Sequence, residues 1–242
     1  MARSARQTAD NLVFHVLNRG NGRMPIFIKD GDFKAFVKLL EEGRRRVGMR
    51  ILCYCLMGNH WHLVLWPRRG EDLSRFIGWV CTTHVRRWRT YRRSVGEGHV
   101  YQGRFKSFVV QDDGHFLTLM RYVEANPLRA GMTRRAESWP WSSLGGASGH
   151  DGVKIELEPW PVDRPGNWVE LVNRAMDEET LSRLRTSVRR SRPFGGAKWT
   201  ARTVSRLGLQ STMRDPWRPA RKRGKKKKAV TVYRGVSIRT NR

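Results

Sequence analysis

The sequence predicts an α+β fold, an antiparallel sheet with helices on one face. Three observations carry that expectation. β-prone apolar runs recur at 12–18, 50–56 and 60–66, and segments with apolar residues at helical spacing alternate with them. Only Met57, Gly58 and Asn59 separate the second and third runs, too few for anything but a hairpin. The helical segments differ from the strands in period, 3.6 against 2.

Taken in order, Leu12-Val13-Phe14-His15-Val16-Leu17-Asn18 reads as the first strand and Arg19–Arg23 as a turn. Asp30 or Asp32 caps a helix whose Phe33, Phe36, Val37 and Leu40 share one face. The hairpin of 50–56 and 60–66 follows, and Pro67 stops its second strand. A long helix is expected over 72–91, where Leu73, Phe76, Ile77, Val80, Cys81, His84, Val85 and Trp88 recur every three or four residues. A fourth strand is expected over 100–110, with Arg104 and Lys106 on it. Asp112 or Asp113 then opens a helix bearing Phe116, Leu119, Met120 and Val123, which Pro127 ends. Strand, helix, hairpin, helix, strand, helix is a ferredoxin-like order.

The rest divides by composition. Residues 1–145 form the expected main domain and 146–166 a linker. A basic helical extension is expected over 167–220, with a helix at 167–186, and a basic, disordered tail over 221–242. The formal net charge is +27 and the pI about 11.4. Such a balance says nothing about fold but attracts polyanions, with nucleic acid the first candidate and an anionic membrane surface the second. No apolar run reaches the roughly 20 residues of a membrane span, and no apolar segment follows Met1 as a secretory signal would require. Cys53, Cys55 and Cys81 are expected to be buried, reduced thiols.

One stretch carries chemistry on its face. In Gly58-Asn59-His60-Trp61-His62-Leu63-Val64-Leu65-Trp66 the two histidines lie two residues apart in a strand, so both point to one side and Trp61 to the other. Two imidazoles on one face can hold a divalent ion, although two solvated or satisfied histidines explain the spacing equally. An oxygen-preferring ion such as Mg²⁺ or Mn²⁺ wants further ligands. Tyr122 and Asn126, four apart before Pro127, project a phenol and an amide together from a helix end, on a face other than the apolar one. Taken singly, each has a structural explanation.

Together these segments resemble the single-tyrosine HUH transposases, specifically the REP-associated tyrosine transposases (RAYTs). The resemblance rests on His15-Val16-Leu17-Asn18-Arg19-Gly20, Leu56-Met57-Gly58-Asn59-His60-Trp61-His62-Leu63, Tyr101-Gln102-Gly103-Arg104-Phe105, Arg121-Tyr122-Val123-Glu124-Ala125-Asn126-Pro127-Leu128-Arg129-Ala130-Gly131 and Trp141-Ser142-Ser143, in the family's order. A looser likeness continues through 192–199 and 207–209. The closing run Ala220–Lys225 stands where the family has a glycine-arginine-proline element.

The resemblance implies an HUH endonuclease fold, with His60, His62 and Asn126 as metal ligands for Mg²⁺ or Mn²⁺ and Tyr122 as nucleophile. It implies cleavage of single-stranded DNA through a 5′-phosphotyrosine link, and a substrate of short palindromic repeats folded as hairpins. It further implies a monomer with no small-molecule cofactor, working in the cytoplasm at the nucleoid. A phenol, with a pKa of about 10, is a poor nucleophile at neutral pH unless a nearby cation favours its ionised form. DNA contacts are expected from Arg19, Arg86, Arg104, Lys106, Arg129, Arg221, Lys222 and Arg223, with Trp79 and Trp217 as base platforms. Two other readings stay open: a binder of palindromic DNA that no longer cuts, and an RNA-binding sheet. The second leaves the paired histidines unexplained.

Overall fold

The structure is a computed structural model that describes residues 9–146 and 154–214. It contains a four-stranded antiparallel sheet in the order β2-β3-β1-β4, formed by β1 (Val13–Arg19), β2 (Arg50–Met57), β3 (His60–Trp66) and β4 (Lys106–Val110). The α+β class stands as the sequence indicates. Helices α1 (Asp30–Val47) and α2 (Gly70–Tyr91) cover one face of the sheet. There Phe14, Val16, Ile51, Trp61, Leu63 and Leu65 pack against Phe33, Phe36, Phe76 and Ile77.

The expectation of helices on one face is incomplete. Helix α3 (Gly114–Glu124), with α5 (Trp168–Asn173) and α6 (Glu178–Arg190), covers the opposite face, where Val13, Cys53, Cys55, Val64 and Phe108 meet Phe116, Leu119, Tyr122, Val123, Trp168 and Leu184. The cause lies in the strands themselves. β2 is buried at every position from Ile51 to Met57, so neither of its faces can be left to water.

Three local expectations need correction. The fourth strand begins at Lys106, not at residue 100, so Arg104 lies on the loop before it. Val100, Tyr101 and Phe105 are apolar because they plug the core from that loop, which is tied to β1 by the Gly20–Tyr101 bridge and by Gln102 N donating to Arg19 O. Pro127 does not simply end a helix. Helix α3 stops at Glu124, and a separate turn, α4 (Asn126–Arg129), starts with that proline in its first positions, where a missing N–H costs nothing. The helix expected over 167–186 is split, because Arg174 is extended and Asp177 caps a new helix by accepting from Thr180 N at 2.7 Å.

The extension is fastened to the sheet rather than hung from it. Phe194 pairs in parallel with Val110 at the free edge of β4, and α7 (Ala197–Arg206) and α8 (Gln210–Met213) follow. On the other edge, Leu56 N donates to Trp141 O and Ser143 N to Tyr54 O, so the Trp141-Ser142-Ser143 segment covers β2. Glu124, buried at the end of α3, accepts from Ser143 Oγ at 2.8 Å and from Trp168 Nε1 at 2.7 Å. Burial raises its pKa, and those donors partly offset the rise. One carboxylate thus joins α3, the edge segment and the extension. The expected tail over 221–242 lies outside the described residues.

Candidate active site

The strand pairing builds the site. In antiparallel register, residues directly opposite share a face. Arg19 lies opposite His60 and Leu17 opposite His62, while Met57 and Cys55 flank the same two histidines from β2. His15 belongs to this face as well. Trp61 points the other way, into the core against Phe36 of α1, as the alternation requires.

The tight Gly58-Asn59 turn holds the first histidine. Gly58 O accepts from Ile26 N and Phe27 N, and Gly20 N donates to Asn59 O. A Cβ on Gly20 would meet Met24 O at 2.3 Å, so only glycine allows this approach. Asn59 Nδ2 donates to Arg23 O at 3.1 Å, which directs Asn59 Oδ1 at His60 Nδ1, 2.6 Å away. His62 Nδ1 faces His15 Nε2 at 2.9 Å. The ring centroids of His60 and His62 are 5.0 Å apart.

All three imidazoles have depressed pKa values. Burial pulls His15 to about 3 and, with the Arg19 charge, His60 to about 4. His62 falls well below its usual range, again mainly through burial, helped by its histidine neighbours and by Arg129 and Arg19. The rings are therefore neutral at pH 7, the form a metal ion requires.

Helix α3 brings Tyr122 against them. Its ring meets His62 edge-on at 6.2 Å between centroids and His15 at 6.5 Å. Tyr122 does not stand on a face apart from the apolar one. It is 8% exposed and part of the core beneath α3, because that face turns toward the histidines. Arg129 lies over the Tyr122 ring at 4.4 Å and donates to Tyr122 O at 2.7 Å. Asn126 is not one turn along the same helix. Its Nδ2 folds back onto Tyr122 O and Val123 O, closing the end of α3, and its Oδ1 accepts from Arg129 at 2.9 Å.

These donors fit a divalent ion. Each histidine of the pair has its Nδ1 engaged by a neighbour and its Nε2 left for a ligand, the arrangement metal-binding histidines usually show. Asn126 Oδ1 has two lone pairs, and Arg129 engages one. Among the described residues no group of three or more His, Cys, Asp or Glu side chains could hold an ion. Such an ion at this pair would therefore need further ligands of another kind.

The other tyrosines stand elsewhere. Tyr54 and Tyr101 are buried in the core on the α1–α2 side, where burial raises both, Tyr54 to about 12. Tyr91 is exposed at the end of α2, and Tyr233 lies outside the described residues.

The expected DNA contacts separate into groups. Arg19, Arg104 and Lys106 line one cleft of about 720 Å³ between β4 and the extension, with Arg189 of α6 on its far wall. Arg19 Nε is buried there without a hydrogen-bond partner. Arg129 sits on Tyr122 itself. Trp79 packs beside Gly43 between α1 and α2, with Arg46 over its ring, and exposed Arg86 lies on the same layer. Both belong to the side of the sheet opposite the histidines. Trp217, Arg221, Lys222 and Arg223 lie outside the described residues. Sequence reasoning missed Arg189 and left His15 without a role. A lone histidine inside the apolar run 12–17, two residues from a position facing His62, was the available signal for the latter.

Comparison with known proteins gives four findings. Residues 8–126 match the family described as Transposase IS200 like. A Haemophilus influenzae protein named as a REP-associated tyrosine transposase is 26% identical over 121 residues. That match covers 47% of this chain and 65% of the relative, so the chain spans less than two thirds of the length of that protein. Among solved structures, a REP-associated tyrosine transposase bound to a REP hairpin matches with 16% identity and a TM-score of 0.48, over 68% of this chain and 95% of that one. A Deinococcus radiodurans protein described as a transposase matches with 13% identity and a TM-score of 0.36, over 55% of this chain and 94% of its own.

Proposed function

We propose that this chain, whose residues 8–126 match the family described as Transposase IS200 like, nicks and rejoins single-stranded DNA beside a palindromic hairpin, using Tyr122 as nucleophile. The observation that carries the reading is the contact of the Tyr122 ring with His62 on the face that also bears His60. Tyr122 Oη attacks the phosphorus of the scissile phosphodiester. The bond from phosphorus to Oη forms and the bond to the 3′ oxygen breaks. The phenolic proton passes to solvent, and the departing 3′ oxygen takes one up. Rejoining reverses these steps with an incoming 3′-OH, so the bond energy is kept in the phosphotyrosine.

His60 and His62, through Nε2, and Asn126, through Oδ1, would hold Mg²⁺ or Mn²⁺. When bound, such an ion supplies Lewis-acid polarisation of the scissile phosphate. Arg129 holds the Tyr122 backbone and ring in place and adds positive charge where phosphate arrives. Arg19, with an unpartnered Nε beside His60, is the nearest phosphate-binding cation on β1. The cleft basic residues hold the strand mainly through its phosphates, which makes binding salt-dependent. We propose the domain division of the sequence reading, a single protomer as the working unit and a cytoplasmic setting beside the nucleoid. No helix among the described residues is long and apolar enough to cross a membrane.

A second reading, a binder that no longer cuts, draws support from one feature. Tyr122 is nearly buried and Asn126 Oδ1 is already engaged by Arg129. Incubation with a labelled hairpin oligonucleotide bearing single-stranded flanks, in Mn²⁺ or Mg²⁺, separates the two on a denaturing gel. A covalent protein–DNA band is expected from the wild type. The His60→Ala, His62→Ala double variant loses the band and keeps hairpin binding. Hairpin binding with no band from the wild type on any flank supports the silent binder.

A further inference from the structure

We propose that His15 is a positioning residue: through Nε2 it holds His62 in the tautomer that leaves the His62 Nε2 electron pair free. The inference rests on the reading of His60 and His62 as a metal pair, and goes beyond it by giving β1 a part in building the pair.

His15 is fully buried in the apolar stretch Val13–Leu17 of β1, between His62 and Phe108. Packing alone does not account for an imidazole there. Its Nδ1 is buried without a hydrogen-bond partner, a loss an apolar side chain of similar size would not incur. What its nitrogens gain is one hydrogen bond, Nε2 to His62 Nδ1 at 2.9 Å.

The proton count on that contact has two solutions. Two neutral rings share one hydrogen bond, so one nitrogen donates and the other accepts. If His15 Nε2–H donates, His62 carries its own proton on Nε2 and has no electron pair to offer there. If His62 Nδ1–H donates, Nε2 of His62 is free for a ligand, and His15 is the acceptor. The second solution is the one a metal pair requires. His60 is already set the same way. The Asn59 amide is oriented by its bond to Arg23 O, so the atom facing His60 Nδ1 is an oxygen, which can only accept. Each histidine of the pair therefore has a dedicated acceptor behind it: Asn59 from the turn and His15 from the neighbouring strand.

The test is a long-range proton–nitrogen correlation spectrum of the histidine rings, recorded without metal and with diamagnetic Mg²⁺, joined to a Mn²⁺ titration followed by electron paramagnetic resonance. The proposal expects His62 as the Nδ1–H tautomer in the wild type. It expects His15→Leu to mix the tautomers and weaken Mn²⁺ binding by about 10–100-fold. His15→Gln, whose Oε1 reaches the place of imidazole Nε2 and can accept, restores the affinity. An Nε2–H tautomer of His62 in the wild type overturns the proposal, and needs no variant to fold. A His15→Leu protein with unchanged affinity overturns it as well, and so does a His15→Gln protein as weak as the Leu variant. A wild type that binds no Mn²⁺ removes the metal reading by itself, and the tautomer then decides the proposal alone.

Discussion

Tyr122→Phe abolishes the covalent protein–DNA adduct, lowering its rate by a factor on the order of 10⁴ or more, while hairpin affinity and folding stay close to wild type. The selectivity follows from what the hydroxyl does and does not touch. The ring contacts to His62, His15 and Arg129 use only the aromatic carbons, which phenylalanine keeps. The backbone oxygen that holds Arg129 and Asn126 is also unchanged. Among the described residues, no protein group is hydrogen-bonded to the hydroxyl, so removing it orphans no buried partner. Quantifying the adduct on a denaturing gel, beside a hairpin-binding titration and a thermal melt, reads all three outcomes. A variant that still forms adduct has another nucleophile.

The second large effect concerns stability in acid. His84 lies inside α2, beneath the sheet face remote from the active site, with its Nδ1 at 2.7 Å from Tyr101 Oη, which also accepts from Trp61 Nε1 at 3.1 Å. Burial lowers its pKa to about 4. Asp32 works against that shift, and Arg92 with it. A histidine depressed in the folded state binds its proton more readily when unfolded. Its stabilising contribution is therefore full above pH 6.5 and is lost as the pH falls toward 4. From 6.5 to about 4 this amounts to about 3 kcal/mol. His84→Asn keeps an acceptor for Tyr101 and cannot titrate. Urea unfolding at pH 7 and pH 4 should therefore show the variant losing less stability over that interval than the wild type, by about that amount. Equal losses would mean that His84 is protonated without cost in the folded chain.

How much of this was legible in the sequence depends on the kind of signal. The hairpin was readable because three residues between two apolar runs leave only a tight turn, and α1 and α2 because one-sided periodicity over 18 and 22 residues leaves little choice. The common face of His60 and His62 followed from alternation alone. Other features depended on contacts far along the chain. Val100, Tyr101 and Phe105 are as apolar as a strand, yet they pack as a plug without ladder pairing, and composition does not distinguish the two. The second helical layer was implied by the unbroken apolar run of β2, a sign of a sheet buried on both faces. Asn126 shows the limit at the site itself. Spacing set it one turn from Tyr122, but the break at Ala125 and the reach of Arg129 decide where its oxygen goes. His15 could be quoted as part of a motif, but its role needed the 2.9 Å contact across two strands.

The function proposed for this chain depends on its joining itself to DNA through one phenolic oxygen. Mass spectrometry on the nuclease-trimmed, protease-digested adduct of the wild-type protein tests it most directly. The expected result is a nucleotide phosphate on Tyr122, attached at its 5′ end, with the other cleavage fragment carrying a free 3′-OH. Attachment at Tyr54, Tyr91, Tyr101, Tyr233 or a serine, or cleavage that leaves no protein-linked nucleotide, would contradict it.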